Sequence, residues 1–70
     1  MAEIRAEMVA NVWKVVAEEG QHVDEGDTLV ILESMKMEIP VLAEDPGTLA
    51  KLHVAEGDVV QEGDLIAVIG

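Results

Sequence analysis

The chain has no cysteine, phenylalanine or tyrosine, one tryptophan (Trp13) and one serine (Ser34). Without cysteine there is no disulfide, no thiolate nucleophile and no zinc–thiolate site. Positive charge is equally scarce. Arg5, Lys14, Lys36 and Lys51 stand against 15 acids, a net charge of −11. That exceeds the magnitude of about 2–8 usual for a small soluble domain. Phosphate contacts need a basic face, so nucleic-acid binding by charge is excluded. An anionic membrane surface is disfavoured for the same reason. No apolar run approaches the ~18 residues of a membrane span. Met1–Ala10 carries Glu3 and Glu7 and no basic segment leading into an apolar one, so no signal peptide is expected and a cytoplasmic protein is.

What is present is apolar and β-branched. Half of the 70 residues are apolar, enough to drive collapse despite the acidity. The length fits one domain, 1–70, with a thin core, since a chain of this size buries only about 60% of its unfolded surface. The sequence also repeats itself. Gly20 and Gly26 recur as Gly57 and Gly63, an offset of 37 residues. Laying 12–33 on 49–70 also matches Lys14 with Lys51, Glu19 with Glu56, Val23 with Val60, Glu25 with Glu62 and Asp27 with Asp64. Each half reads as Val- and Ile-rich strands broken by E-G and E-G-D turns, where glycine supplies a positive φ. Two such halves, neither able to bury its own apolar face, are expected to pack together. The expected fold is all-β: about eight short strands in a flattened barrel or sandwich with internal pseudo-two-fold symmetry. Glu25, Asp27, Glu62 and Asp64 are expected to be solvated turn residues, because their spacing does not fit a calcium loop.

One segment escapes the repeat. Residues 34–38, S-M-K-M-E, follow the last strand of the first half, where the second half simply ends. Under two-fold symmetry Lys36 stands on a hairpin tip at the far end from both termini. Lys14 and Lys51 are equivalent to each other and are expected to point outward; Lys36 has no equivalent. Met35 and Met37 read either as gap fillers at the barrel end or as functional flanks of the lysine. Trp13, opposite Ala50 in the repeat, is expected to plug a barrel end rather than stand exposed as a docking spot. His22 and His53 are not equivalent and lack a third ligand, so they are not read as a metal site. No base, nucleophile or phosphate loop is evident, and an independent enzyme has no support.

The stretches V-W-K-V-x-A-E-E-G-x-x-V-x-E-G-D, L-E-S-M-K-M-E-I and G-T-L-x-K-L-x-V-x-E-G-D resemble the biotinyl/lipoyl attachment domain over nearly the whole chain, from Ala6 to Ile69. Methionine on both sides of the lysine is similar to the biotin branch. The length and the lack of a thumb insertion resemble the small standalone biotin carriers of actinobacterial type. The resemblance implies the barrel-sandwich fold and a non-catalytic carrier with biotin amide-linked to Lys36. Met35 and Met37 would position the cofactor, and Glu33, Ser34 and Glu38 would be read by a biotin protein ligase. It further implies carboxyl transfer between biotin carboxylase and carboxyltransferase partners, as in an acyl-CoA carboxylase, by a monomer. A lysine amine is protonated near neutral pH and amide formation needs the free base, so the ligase is expected to take the proton. A lipoyl carrier and an unmodified interaction module are the alternatives. Val9 and Ala10 stand where the family often has Pro and Gly, whereas the second half keeps Pro46 and Gly47, so a looser first turn is expected.

Overall fold

A computed structural model describes residues 2–70. Their elements are β1 (Ala2–Arg5), β2 (Ala10–Val15), β3 (His22–Val23), β4 (Thr28–Ser34), β5 (Met37–Leu42), β6 (Gly47–Leu52), β7 (Val59–Val60) and β8 (Leu65–Ile69). No helix occurs among the described residues, so none is long and apolar enough to cross a membrane. The strands form two antiparallel sheets, ordered β1-β8-β6-β3 and β5-β4-β2-β7. The short strands are exchanged: β3, from the first half, completes the sheet of β6 and β8, and β7 completes that of β2 and β4. Register follows the same symmetry. Ala10 faces Val60 as Gly47 faces Val23, and Leu32 faces Ile39 as Ile69 faces Ala2. The 37-residue offset thus extends beyond 12–33 and 49–70, to pair β1 with β5.

Side-chain alternation puts one face of each strand inside. In β2, Ala10 and Val12 are buried while Asn11 and Trp13 are exposed. The fully buried residues are all apolar, with Leu29, Val30, Leu49, Ile66 and Ala67 completely sealed. Leu29 and Val30 are consecutive, as are Ile66 and Ala67, which simple alternation forbids. The register shifts at Thr28/Val30 and at Ile4/Arg5 explain it. A bulge adds one residue to the strand and turns both neighbours inward. The Leu29 carbonyl there accepts from both Val16 and Ala17, at 2.9 and 3.0 Å.

Four turns of one design connect the strands: E-E-G-Q, D-E-G-D, A-E-G-D and Q-E-G-D. Their glycines, at positions 20, 26, 57 and 63, have φ between +88° and +93°. In each turn the fourth residue's N–H donates to the first residue's carbonyl, at 2.9–3.1 Å. Glycine with positive φ at the third position is the type II signature. The fourth side chain then bonds back. Asp27, Asp58 and Asp64 each accept from the N–H three residues earlier at 2.9 Å, and Gln21 does so at 3.0 Å. Asp27 and Asp64 are therefore more than the solvated acids expected from sequence: their carboxylates lock the turns.

Two further expectations change. Trp13 does not pack inside; it is 43% exposed on the outer face of β2, with the Lys14 Nζ 5.5 Å from its ring centroid. Alternation after buried Val12 sets it there, and the bulge at Val12/Lys14 leaves Lys14 exposed beside it. Nor is the first-half turn unusual at Ala10, which is buried and begins β2 without a positive φ. At this position the demand for glycine arises only in the second half. A Cβ on Gly47 would meet the Gly70 oxygen at 2.7 Å and Ile69 Cγ2 at 2.9 Å.

The molecule measures 31 × 18 × 17 Å. β2 starts beside the β4–β5 hairpin, with Asn11 opposite Glu33, and runs away from it. The chain then reaches β3, which pairs with Gly47 and Thr48. Thr48 in turn bonds Gly70. The hairpin and the C-terminus therefore lie at opposite ends.

Candidate functional site

The β4–β5 hairpin is the site's scaffold. Six pairs, from Thr28↔Leu42 to Ser34↔Met37, fix its register. Leu32 is buried and packs opposite the half-buried Ile39, anchoring the ribbon to the core. Two residues, Met35 and Lys36, close the loop with φ of 53° and 65°. Positive φ at both central residues is the type I′ arrangement, which suits the twist of a tight hairpin and normally uses Asn or Gly. Here neither residue is glycine. A side chain in the left-handed region costs about 1–2 kcal/mol, and such conformations gather where function requires them.

The lysine therefore does not sit on a strand face. It is the second central residue of a turn, and the turn aims it. Lys36 is exposed. Among the described residues Arg5 pairs with Glu3 and His22 Nε2 lies 3.1 Å from an Asp24 carboxylate oxygen, so no carboxylate holds the Lys36 amine. Met35 is 91% exposed and Met37 63% exposed. They fill no gap in the barrel end; they flank the lysine as free thioethers. Glu33 and Glu38 face each other directly across the ribbon, one step below the closing Ser34↔Met37 pair. Like charges in that relation oppose pairing.

The tip is a projection and not a pocket. The open groove between edge strands β1 and β5 is lined by Ile4, Arg5, Met8, Leu42 and others, but not by residues 35–37. Among the described residues no three His, Asp or Glu side chains converge for a metal, and no polar side chain is buried. Lys36 stands in the open, where another surface can reach it.

Two acids with structural roles were not recognised from sequence. Glu19 accepts from the Leu52 N–H at 2.8 Å, and Glu56 from the Val15 N–H at 3.3 Å. Each carboxylate caps a strand end of the other half. Their identity across the repeat was visible; the partner N–H groups were not, because they lie 33 and 41 residues away.

The family described as "Biotin-requiring enzyme" matches residues 2–69. The chain is 69% identical over 70 residues to the "Biotinylated protein TB7.3 homolog" of Mycolicibacterium smegmatis, covering 99% of each. It is 61% identical to the protein of that name from Mycobacterium leprae, again over 70 residues and 99% of each. Among solved structures it resembles Kluyveromyces lactis urea carboxylase, with a TM-score of 0.93 and 40% identity over 99% of this chain and 6% of that one. The chain belongs to the biotin/lipoyl attachment family and is a biotin carrier domain.

Proposed function

We propose that Lys36 is the biotin attachment site and that the protein is a non-catalytic shuttle for carboxyl groups. The observation that carries this is the placement of Lys36. It is an exposed, unpaired lysine at the closing turn of the hairpin that the internal symmetry leaves unmatched. A biotin protein ligase acylates its amine: nitrogen attacks an activated biotin carboxyl, the activating group leaves, and the amine's proton passes to the ligase. Nothing around the tip obstructs the linked arm, and the exposed Met35 and Met37 thioethers can rest against an apolar ring system. When bound, biotin supplies the atom that receives and releases the carboxyl group. The chain supplies a fixed presentation.

Glu33, Ser34 and Glu38 form the surface the ligase reads. The two carboxylates face each other across the ribbon beside the turn, and a lysine or arginine of the ligase would relieve their repulsion. The carrier works as a monomer in the cytoplasm, docking in turn to biotin carboxylase and carboxyltransferase subunits. Docking keeps the arm's local concentration high at each site.

The test is transfer itself. Biotinylated carrier is incubated with a biotin carboxylase, ATP and labelled bicarbonate. Protein-bound label is expected with the biotinylated chain and not with the unmodified one. Equal label in both, or none in either, would contradict the shuttle. Modification by a lipoyl ligase and not by a biotin ligase would favour the lipoyl carrier.

A further inference from the structure

The two sheets share one backbone plan, yet their outer faces differ. Val9, Trp13 and Val59 lie on the outer side of β2 and β7, each more than 40% exposed. Val9, Asn11 and Trp13 alternate with buried Ala10 and Val12, and Asn11 pairs with Val59. The three apolar side chains therefore surround Asn11 on one surface. At the symmetry-related positions the other sheet carries Pro46, Ala50 and His22, all exposed. Folding makes the same demand at both members of each pair. The polar or small member shows that the apolar one is not needed for the fold. Exposed apolar surface that folding does not require marks an interaction site.

We infer that this β2–β7 face is the docking surface for the partner that carboxylates the arm. The inference rests on the carrier reading above. Three observations favour that occupant. The patch is close to the arm: Asn11 pairs with Glu33 of β4, so β7 lies two strands, or about 10 Å, from the hairpin strand. Its rim is acidic, with Glu33 on one side and Glu56 and Asp58 on the other, reaching β2 through Val15 and Val12. And a second copy is a poor occupant, because two chains of charge −11 repel. A complementary partner has an apolar spot ringed by Lys or Arg. An enzyme that gathers ATP and bicarbonate, both anions, has reason to be basic at its entrance. Trp13 is the anchor, being large, half-exposed and held beneath the Lys14 ammonium.

The symmetry supplies the variants. Trp13→Ala and Val59→His each install the residue that the matching backbone position already carries. The double variant is biotinylated and assayed as substrate of the biotin carboxylase subunit from the same source, with Ala50→Ser and His22→Gln as a control on the opposite sheet. The expected result is a rise of about tenfold or more in the KM for carrier, the scale of losing one aromatic anchor. Here kcat, ligase labelling and melting temperature stay near wild type, and the control stays unchanged. An unchanged KM would overturn the inference. So would a loss confined to ligase labelling, which would give the face to the ligase, or wild-type dimers that the variant splits. If wild-type carrier accepts no carboxyl group at all, the carrier reading fails and the inference with it.

Discussion

Met35 and Lys36 occupy backbone conformations that glycine and asparagine adopt readily and methionine and lysine do not. Stability should therefore follow left-handed preference at position 35. Met35→Asn is expected to raise the melting temperature and Met35→Val to lower it, each by several degrees, since about 1 kcal/mol shifts a domain of this size by roughly 4–8 °C. Equal melting temperatures for both would remove the strain argument. Exchanging Met35 with Lys36 keeps composition and turn but moves the amine to the other central position, whose side chain departs in a different direction. Ligase labelling should be abolished; equal labelling would show that the ligase reads only an exposed lysine. The lysine's singularity was legible in the sequence, because Lys14 and Lys51 match each other and Lys36 matches nothing. Its turn conformation was not legible, because M-K carries none of the Asn-Gly chemistry that announces a type I′ turn.

At the scale of elements, the turns and strand ends hold the ribbons in place. The glycines separate two causes of cost. Gly26 has φ of +91° and nothing within 4 Å of a built Cβ, whereas Gly47 would push a Cβ into backbone atoms of Gly70. Gly26→Ala should cost about 1–2 kcal/mol from conformation alone. Gly47→Ala should cost about 1–3 kcal/mol from overpacking and should also expose the Thr48–Gly70 hydrogen bonds to exchange. Denaturant melts and amide exchange at Thr48 and Gly70 distinguish the two. Glu19→Ala removes the 2.8 Å cap on Leu52 and is expected to cost about 0.5–1.5 kcal/mol, with faster exchange of the Leu52 amide. The strands and E-G-D turns could be read from β-branched runs and glycine spacing. The bulges could not. Leu29 and Val30 are consecutive and both face inward, and the register shift that allows it depends on pairing with β5.

For the whole molecule the decisive quantities are a thin core and a large charge. A 70-residue chain at about 0.05–0.15 kcal/mol per residue has a total stability of roughly 3.5–10 kcal/mol. Leu29 and Ile66 are symmetry mates with no exposure. Cutting either to alanine removes about 2–5 kcal/mol, so both variants should be marginal to a similar degree. With 15 acids against four bases and one Arg–Glu ion pair among the described residues, self-repulsion outweighs surface attraction. Added sodium chloride should therefore raise the melting temperature by screening; a fall would show that the turn carboxylates contribute more through attraction than the net charge costs. The duplication let the two-fold arrangement be read in advance, because equal halves without separate cores must pack together. The exchange of β3 and β7 between sheets was not foreseeable, since two-residue strands leave no periodicity to read.

The whole fold sets one lysine, Lys36, on an exposed turn. Intact mass after incubation with a biotin ligase, biotin and ATP tests its role as the attachment site most directly, with Lys36→Arg alongside. One biotinyl group is expected on the wild-type chain and none on the variant. A biotinyl group that persists in Lys36→Arg, or a folded wild-type chain that takes up none, would contradict it.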